Sequence, residues 1–106
     1  MFDALELSLD VIRSLRGPLQ TIKSRDPKLA DQLRRAASSV SLNLGEGRRR
    51  SGKDRRYHFC VSAGSAEEAR TCLRVSEAWG DLKAEEALQA LKLLDRLLGM
   101  LWRLTR

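Results

Sequence analysis

The side chains able to do chemistry in this chain crowd into one stretch. Asn43-Leu44-Gly45-Glu46-Gly47 leads into Arg48-Arg49-Arg50-Ser51-Gly52-Lys53-Asp54-Arg55-Arg56, and from Arg48 to Arg56 six cations stand with a single acid. Clustered guanidinium and ammonium groups are suited to phosphate. Each phosphate neutralised releases condensed counterions, so contact with six would make log affinity fall with log salt at a slope of about −5. Arg48, Arg49, Lys53, Arg55 and Arg56 are the candidates for contact with RNA or DNA. The competing expectation is a solvated turn in which several of these arginines pair with Glu46, Asp54 or Glu68. Tyr57 and Phe59 alternate beside the patch, but their spacing suits a core. Binding is therefore expected to be directed at the backbone, with weak sequence preference.

Catalysis finds less support in the same residues. Several serines supply hydroxyls, yet His58 is the single histidine and lies on an expected helix, so no Ser-His-acid arrangement is evident. Glu46 and Glu68 could form a carboxylate pair, although ion-pair partnership explains them better. Gly45-Glu46-Gly47 ends a helix instead of linking a strand to one, unlike a phosphate loop. His58 and Cys60, two positions apart, face different sides of a helix and leave no metal-binding spacing. A non-enzymatic protein without metal or cofactor is expected.

The elements that must position these groups are helices. Few β-branched residues and an abundance of Ala, Leu, Arg, Lys and Glu favour an all-α chain. Leu5, Leu9, Ile12, Leu15, Leu19 and Ile22 recur at three- and four-residue steps, predicting a helix over about 3–24. Gly17-Pro18 should kink or briefly break it, because proline cannot donate to the Ser14 carbonyl. Asp26-Pro27 is an N-cap followed by a first-position proline, opening a second helix over 27–45. Its stripe carries Leu29, Leu33, Ala36, Val40 and Leu44, with Asn43 near the apolar face, where an unpartnered amide would cost about 1–3 kcal/mol. Asn43 should therefore have a partner. Gly45 and Gly47 let the backbone leave the helix, and Glu46 between them should have a cationic neighbour.

Ser51 and Asp54 form a variant capping box for a third helix over 52–79. Tyr57, Val61, Gly64, Glu68, Cys72, Val75 and Trp79 make one stripe, and Phe59, Ala63, Ala66, Ala69 and Leu73 a second. Two such faces predict burial on two sides, the second against a neighbouring subunit. Ala63-Gly64-Ser65-Ala66 would admit another backbone, and a buried Glu68 would need Arg34, Arg35 or Arg50. A leucine-rich fourth helix is expected over 84–104. Four helices with short connections pack most simply as an up-down-up-down bundle in a single domain.

At 106 residues the core is modest, making oligomerisation a plausible source of further stability. A net charge of +6 favours polyanionic partners or, equally, a solubilising surface. Cys60 and Cys72 are about 18 Å apart along one helix and cannot pair within it. Two thiols expected to be buried, no signal-peptide pattern and no long apolar run predict a cytoplasmic protein that does not enter a membrane.

Gln32-Leu33-Arg34-Arg35-Ala36-Ala37, Ser39-Val40, Asn43-x-x-Glu46-Gly47, Arg50-Ser51 and Gly64-Ser65-x-x-Glu68 carry a resemblance. In these motifs, over about residues 29–82, the chain resembles the bacterial four-helix-bundle family that includes proteins encoded in intervening sequences of large-subunit ribosomal RNA genes. It is also similar to the accessory variability determinant proteins of diversity-generating retroelements. The resemblance implies a four-helix protomer in a pentameric, barrel-like ring. For the retroelement branch it implies a nucleic-acid-binding basic surface and association with a reverse transcriptase. Asn43, Glu46, Gly47, Arg50, Ser51, Gly64, Ser65 and Glu68 occupy the motif positions, and the resemblance gives none of them a catalytic role. The chain departs from the family pattern before Gln32, where the approach from Pro27 is short and the first helix contains Gly17-Pro18.

Two functions remain. One is a homo-oligomeric bundle that binds RNA or DNA at its basic corner, as an accessory to a nucleic-acid enzyme. The other is a protein-interaction scaffold whose arginines close subunit interfaces.

Overall fold

Four amphipathic helices account for nearly all of residues 2–106, the part of the chain that the computed structural model describes. They are α1 (Asp3–Arg25), α2 (Pro27–Arg48), α3 (Gly52–Trp79) and α4 (Ala84–Thr105). Each packs on its neighbour in chain order, and α4 returns against α1 to close the bundle. Side-chain bonds set α1 antiparallel to both of its neighbours, α2 and α4. Ser8 near the start of α1 meets Ser41 near the end of α2 at 2.8 Å, and Thr21 near the end of α1 donates to Glu86 at the start of α4 at 3.0 Å. The bundle measures 43 × 22 × 20 Å, a length matching the roughly 42 Å that 28 helical residues of α3 span.

The connections follow from local chemistry. The Asp26 carboxylate accepts the Leu29 amide at 3.1 Å, and Pro27 occupies the first turn, so one residue suffices to reverse the chain. Gly80, in the left-handed region at φ 80°, ends α3, its amide reaching the Glu77 carbonyl while that of Asp81 reaches Ser76.

Leu15, Ile22, Leu33, Leu44, Leu73, Leu94, Leu97 and Leu101 fill the centre, with small Ala66, Ala69, Ala87 and Ala90 allowing close approach of α3 and α4. No buried side-chain polar atom among the described residues lacks a partner; Ser62, for example, donates to the Val40 carbonyl at 3.0 Å.

Four details differ from the pattern read in the sequence. Helix α1 runs through Gly17-Pro18 without a break, with Val11, Leu15, Pro18 and Ile22 docked on one continuous core. Helix α2 continues past Gly45 to Arg48. The reason for Gly47 is contact, not exit. A Cβ there would lie 2.7 Å from the Phe59 ring. Ser51 is the N-cap of α3 by position, but its side chain makes no capping bond; Gly52 at φ 59° turns the chain instead. Finally, α3 buries one face within the protomer: Phe59, Ser62, Ala66, Ala69, Cys72, Leu73 and Ser76 point inward, whereas Tyr57, Gly64, Glu68 and Trp79 are exposed. Nothing within the protomer approaches Gly64.

Candidate nucleic-acid interface

The motif residues assemble along the seam between α2 and α3. Asn43 donates through Nδ2 to the Ser39 carbonyl at 3.0 Å and to Ser39 Oγ at 3.2 Å, and its Oδ1 stands 3.0 Å from His58 Nδ1. With both amide donors turned toward Ser39, Oδ1 can only accept, so His58 carries its proton on Nδ1. Ser39 Oγ also meets Ser65 Oγ at 2.8 Å. The expected partner of Asn43 is thus a four-residue polar ladder, to which His58 was the member hidden from sequence.

Glu46 and Arg50 form the next rung. Arg50 donates from Nε and Nη2 to Glu46 Oε1 at 3.1 and 2.7 Å, and from Nη1 to Asp54 at 2.6 Å. One guanidinium therefore ties the last turn of α2 to the first of α3. Hydrogen bonding by Arg50, reinforced by its charge, holds the Glu46 carboxyl below the usual glutamate range, and the same contacts push the Arg50 guanidinium up. The Asp54 carboxylate, spent on this bridge, does not cap α3 with Ser51.

Glu68 departs from its expected role. It is exposed, and its partner is the Gln32 amide at 3.3 Å, not Arg34, Arg35 or Arg50. An exposed carboxylate remains hydrated and requires no counter-cation. The thiols also divide: Cys72 is buried, but Cys60 is exposed, because it lies on the solvent side of α3. Burial, with a smaller effect from Glu68, pushes the Cys72 thiol up.

The remaining cations gather at the end of the bundle where α2 stops and α3 starts. Arg48, Arg49, Lys53, Arg55 and Arg56 are all exposed, and none makes an ion pair among the described residues. The acids that flank the α2–α3 connection, Glu46 and Asp54, are both held by Arg50. Three of the five also touch protein groups: Arg48 lies over the Phe2 ring, Arg55 over the Phe59 ring, and Arg56 Nε donates to the Thr105 carbonyl at 2.9 Å. That last bond brings the end of α4 to the same corner, adding exposed Arg103, Arg106 and Trp102. These three escaped the sequence reading, although antiparallel packing of α3 and α4 was enough to place them there. Tyr57, expected in the core, is exposed, while Phe59 is buried.

An antiparallel all-α bundle with a polar α2–α3 seam and one strongly basic end is the class of protein that these features define. Residues 2–103 match the family model of the 23S rRNA-intervening sequence protein, and the chain belongs to that family. Among solved structures it is similar to a protein of unknown function from the S23 ribosomal protein family of Bacteroides thetaiotaomicron. That likeness has 13% identity and a TM-score of 0.85, and covers 97% of this chain and 98% of the other. At that identity it establishes the fold. No curated protein matches the chain. Among the described residues, no helix is long and apolar enough to cross a membrane.

Proposed function

We propose that this protein is a non-catalytic, self-associating helical bundle that binds RNA or DNA through its basic end. The observation that carries the reading is the division of charge at the corner. Arg50 takes both acids of the α2–α3 connection, and Arg48, Arg49, Lys53, Arg55 and Arg56 make no ion pair among the described residues. Unpaired cations on one end create a field that attracts phosphate. Exposed Leu42, Trp79 and Leu88 supply apolar surface for self-association, and the family's pentameric ring would multiply the +6 of a single chain. Service to a nucleic-acid enzyme such as a reverse transcriptase extends the reading from the retroelement branch.

A scaffold reading draws on the contacts of Arg48, Arg55 and Arg56 with groups of the same chain, which support a structural use of these side chains. A salt-titrated binding assay separates the two. Nucleic-acid binding predicts affinity at low salt, a log–log slope of about −3.5 to −4.5 if each of the five unpaired cations neutralises one phosphate, and a large loss when Arg48, Arg49, Lys53 and Arg55 are all changed to Gln. Absence of binding at low salt, or affinity unchanged in the fourfold variant, overturns the proposal in favour of the scaffold.

A further inference from the structure

The four large aromatic rings of the basic end have opposite fates. Phe2 and Phe59 pack together with ring centroids 5.8 Å apart, and Phe59 is buried in the core. Tyr57 and Trp102 are left 62% and 64% exposed. Rings of this size bury large apolar areas when a core accepts them, so two exposed ones among cations are available to an outside partner.

Local contacts hold both at the corner. The Arg56 bond to the Thr105 carbonyl joins the first turns of α3 to the last turn of α4. Tyr57 follows Arg56 directly, its ring braced edge-on by His58 at 5.3 Å, and His58 is itself fixed by Asn43. Trp102 lies one turn before Thr105, whose Oγ1 donates to the Trp102 carbonyl at 3.2 Å, and the Arg106 guanidinium sits 5.6 Å from the indole centroid. Aromatic faces set among phosphate-binding cations are how proteins hold single strands. The bases of a single strand can leave their stack and lie on a ring, whereas those of a duplex are already stacked on one another.

We infer that the basic end selects single-stranded nucleic acid, with Tyr57 and Trp102 as base-stacking platforms between phosphate contacts. The inference rests on the nucleic-acid reading above and narrows its substrate class. The polar seam then serves binding as well as folding, because the Asn43 ladder orients Tyr57 through His58.

The test compares oligouridylate of about 12 nucleotides with an RNA duplex of the same length at low salt. The wild type should prefer the single strand. Tyr57→Ala and Trp102→Ala should each weaken single-strand binding roughly tenfold, with duplex affinity and salt slope unchanged, and Trp102→Phe should retain most of the affinity. In a Trp79→Phe background, Trp102 is the only indole and its emission should be quenched by oligouridylate. In a Trp102→Phe background, Trp79, at the far end of α3, should not respond. Equal binding of both forms, with single-strand affinity unaltered in both alanine variants, overturns the single-strand inference and leaves the basic-end reading standing. Alanine variants that change the assembly mass but not the affinity do the same, assigning the rings to a subunit contact. No binding of either form overturns both readings.

Discussion

The ring of Phe59 occupies the space that a side chain at Gly47 would need: a Cβ on Gly47 would stand 2.7 Å from Phe59 Cε1 and 2.9 Å from Cδ1. Phe59 is buried and backed by Phe2, so the ring has little room to withdraw. Gly47→Ala should therefore destabilise the fold by about 1–3 kcal/mol despite the better helix propensity of alanine. Gly45, in the same helix with nothing nearby, should behave oppositely, Gly45→Ala adding about 0.5–1 kcal/mol. Chemical denaturation of the two variants checks the pair, and a stabilised Gly47→Ala would refute the close-approach account.

Asn43 connects three polar groups that would otherwise compete for water at a half-buried seam. Asn43→Ala removes the acceptor of the His58 Nδ1 proton and the donor to the Ser39 carbonyl, and should cost about 1–2 kcal/mol. Ser65→Ala leaves the Asn43 bonds to Ser39 intact and should cost less than Asn43→Ala. Equal losses in urea unfolding would mean that the ladder does not centre on Asn43.

The contrast between these residues explains how much of the molecule the sequence disclosed. Four helices were legible because a 3.6-residue period repeats locally, and Asp26-Pro27 marks a boundary through bonds confined to its own turn. Phase was harder. In α1 the buried face is Ala4, Leu7, Ser8, Val11, Leu15, Pro18 and Ile22, while Leu5, Ile12 and Leu19 lie at its flank, because apolar residues recur at helical spacing on both rows and the period alone does not fix which row turns inward. In α3 the inward face carries the small Ser62, Ala66 and Ala69 beside Phe59 and Leu73, and Tyr57, on another row, lies outside.

At the candidate site, a local run of arginines revealed the cations, but not their division into paired and unpaired groups. That division depends on Arg50 reaching Glu46 four residues back and Asp54 four residues on, which removes both acids from the others. Trp102, Arg103 and Arg106 lie some fifty residues away in sequence and join the corner only through the packing of α4 on α3. Glu68 shares a helical row with the buried Cys72 yet is exposed, so the row it belongs to does not disclose its environment.

The two thiols should react at very different rates. Cys60 is exposed, whereas Cys72 is 2% exposed and held in the less reactive thiol form by burial. Brief alkylation of the native protein should add one label, located at Cys60 by peptide mass mapping, and two labels under denaturing conditions. Labelling of Cys72 at the Cys60 rate would show that α3 opens or packs differently.

The Glu46–Arg50 contact gives a pH dependence whose sign follows from the direction of its shift. The Glu46 carboxyl is held below its ordinary value in the folded protein, first by its hydrogen bonds from Arg50 and then by that group's charge. As pH falls, the unfolded chain takes up this proton before the folded one does. The contribution of the pair to stability is therefore complete above the ordinary glutamate range and is lost as pH falls through the folded-state value. A carboxyl NMR titration should show Glu46 with a midpoint below that of a glutamate in a peptide, and Arg50→Gln should return it toward that value. Because Arg50 also holds Asp54, the variant frees two acids at the basic end and should weaken nucleic-acid binding even though it leaves all five unpaired cations in place. If Arg50→Gln instead leaves both the Glu46 midpoint and the affinity unchanged, the bridge neither sets the carboxyl nor keeps the acids away from their neighbours.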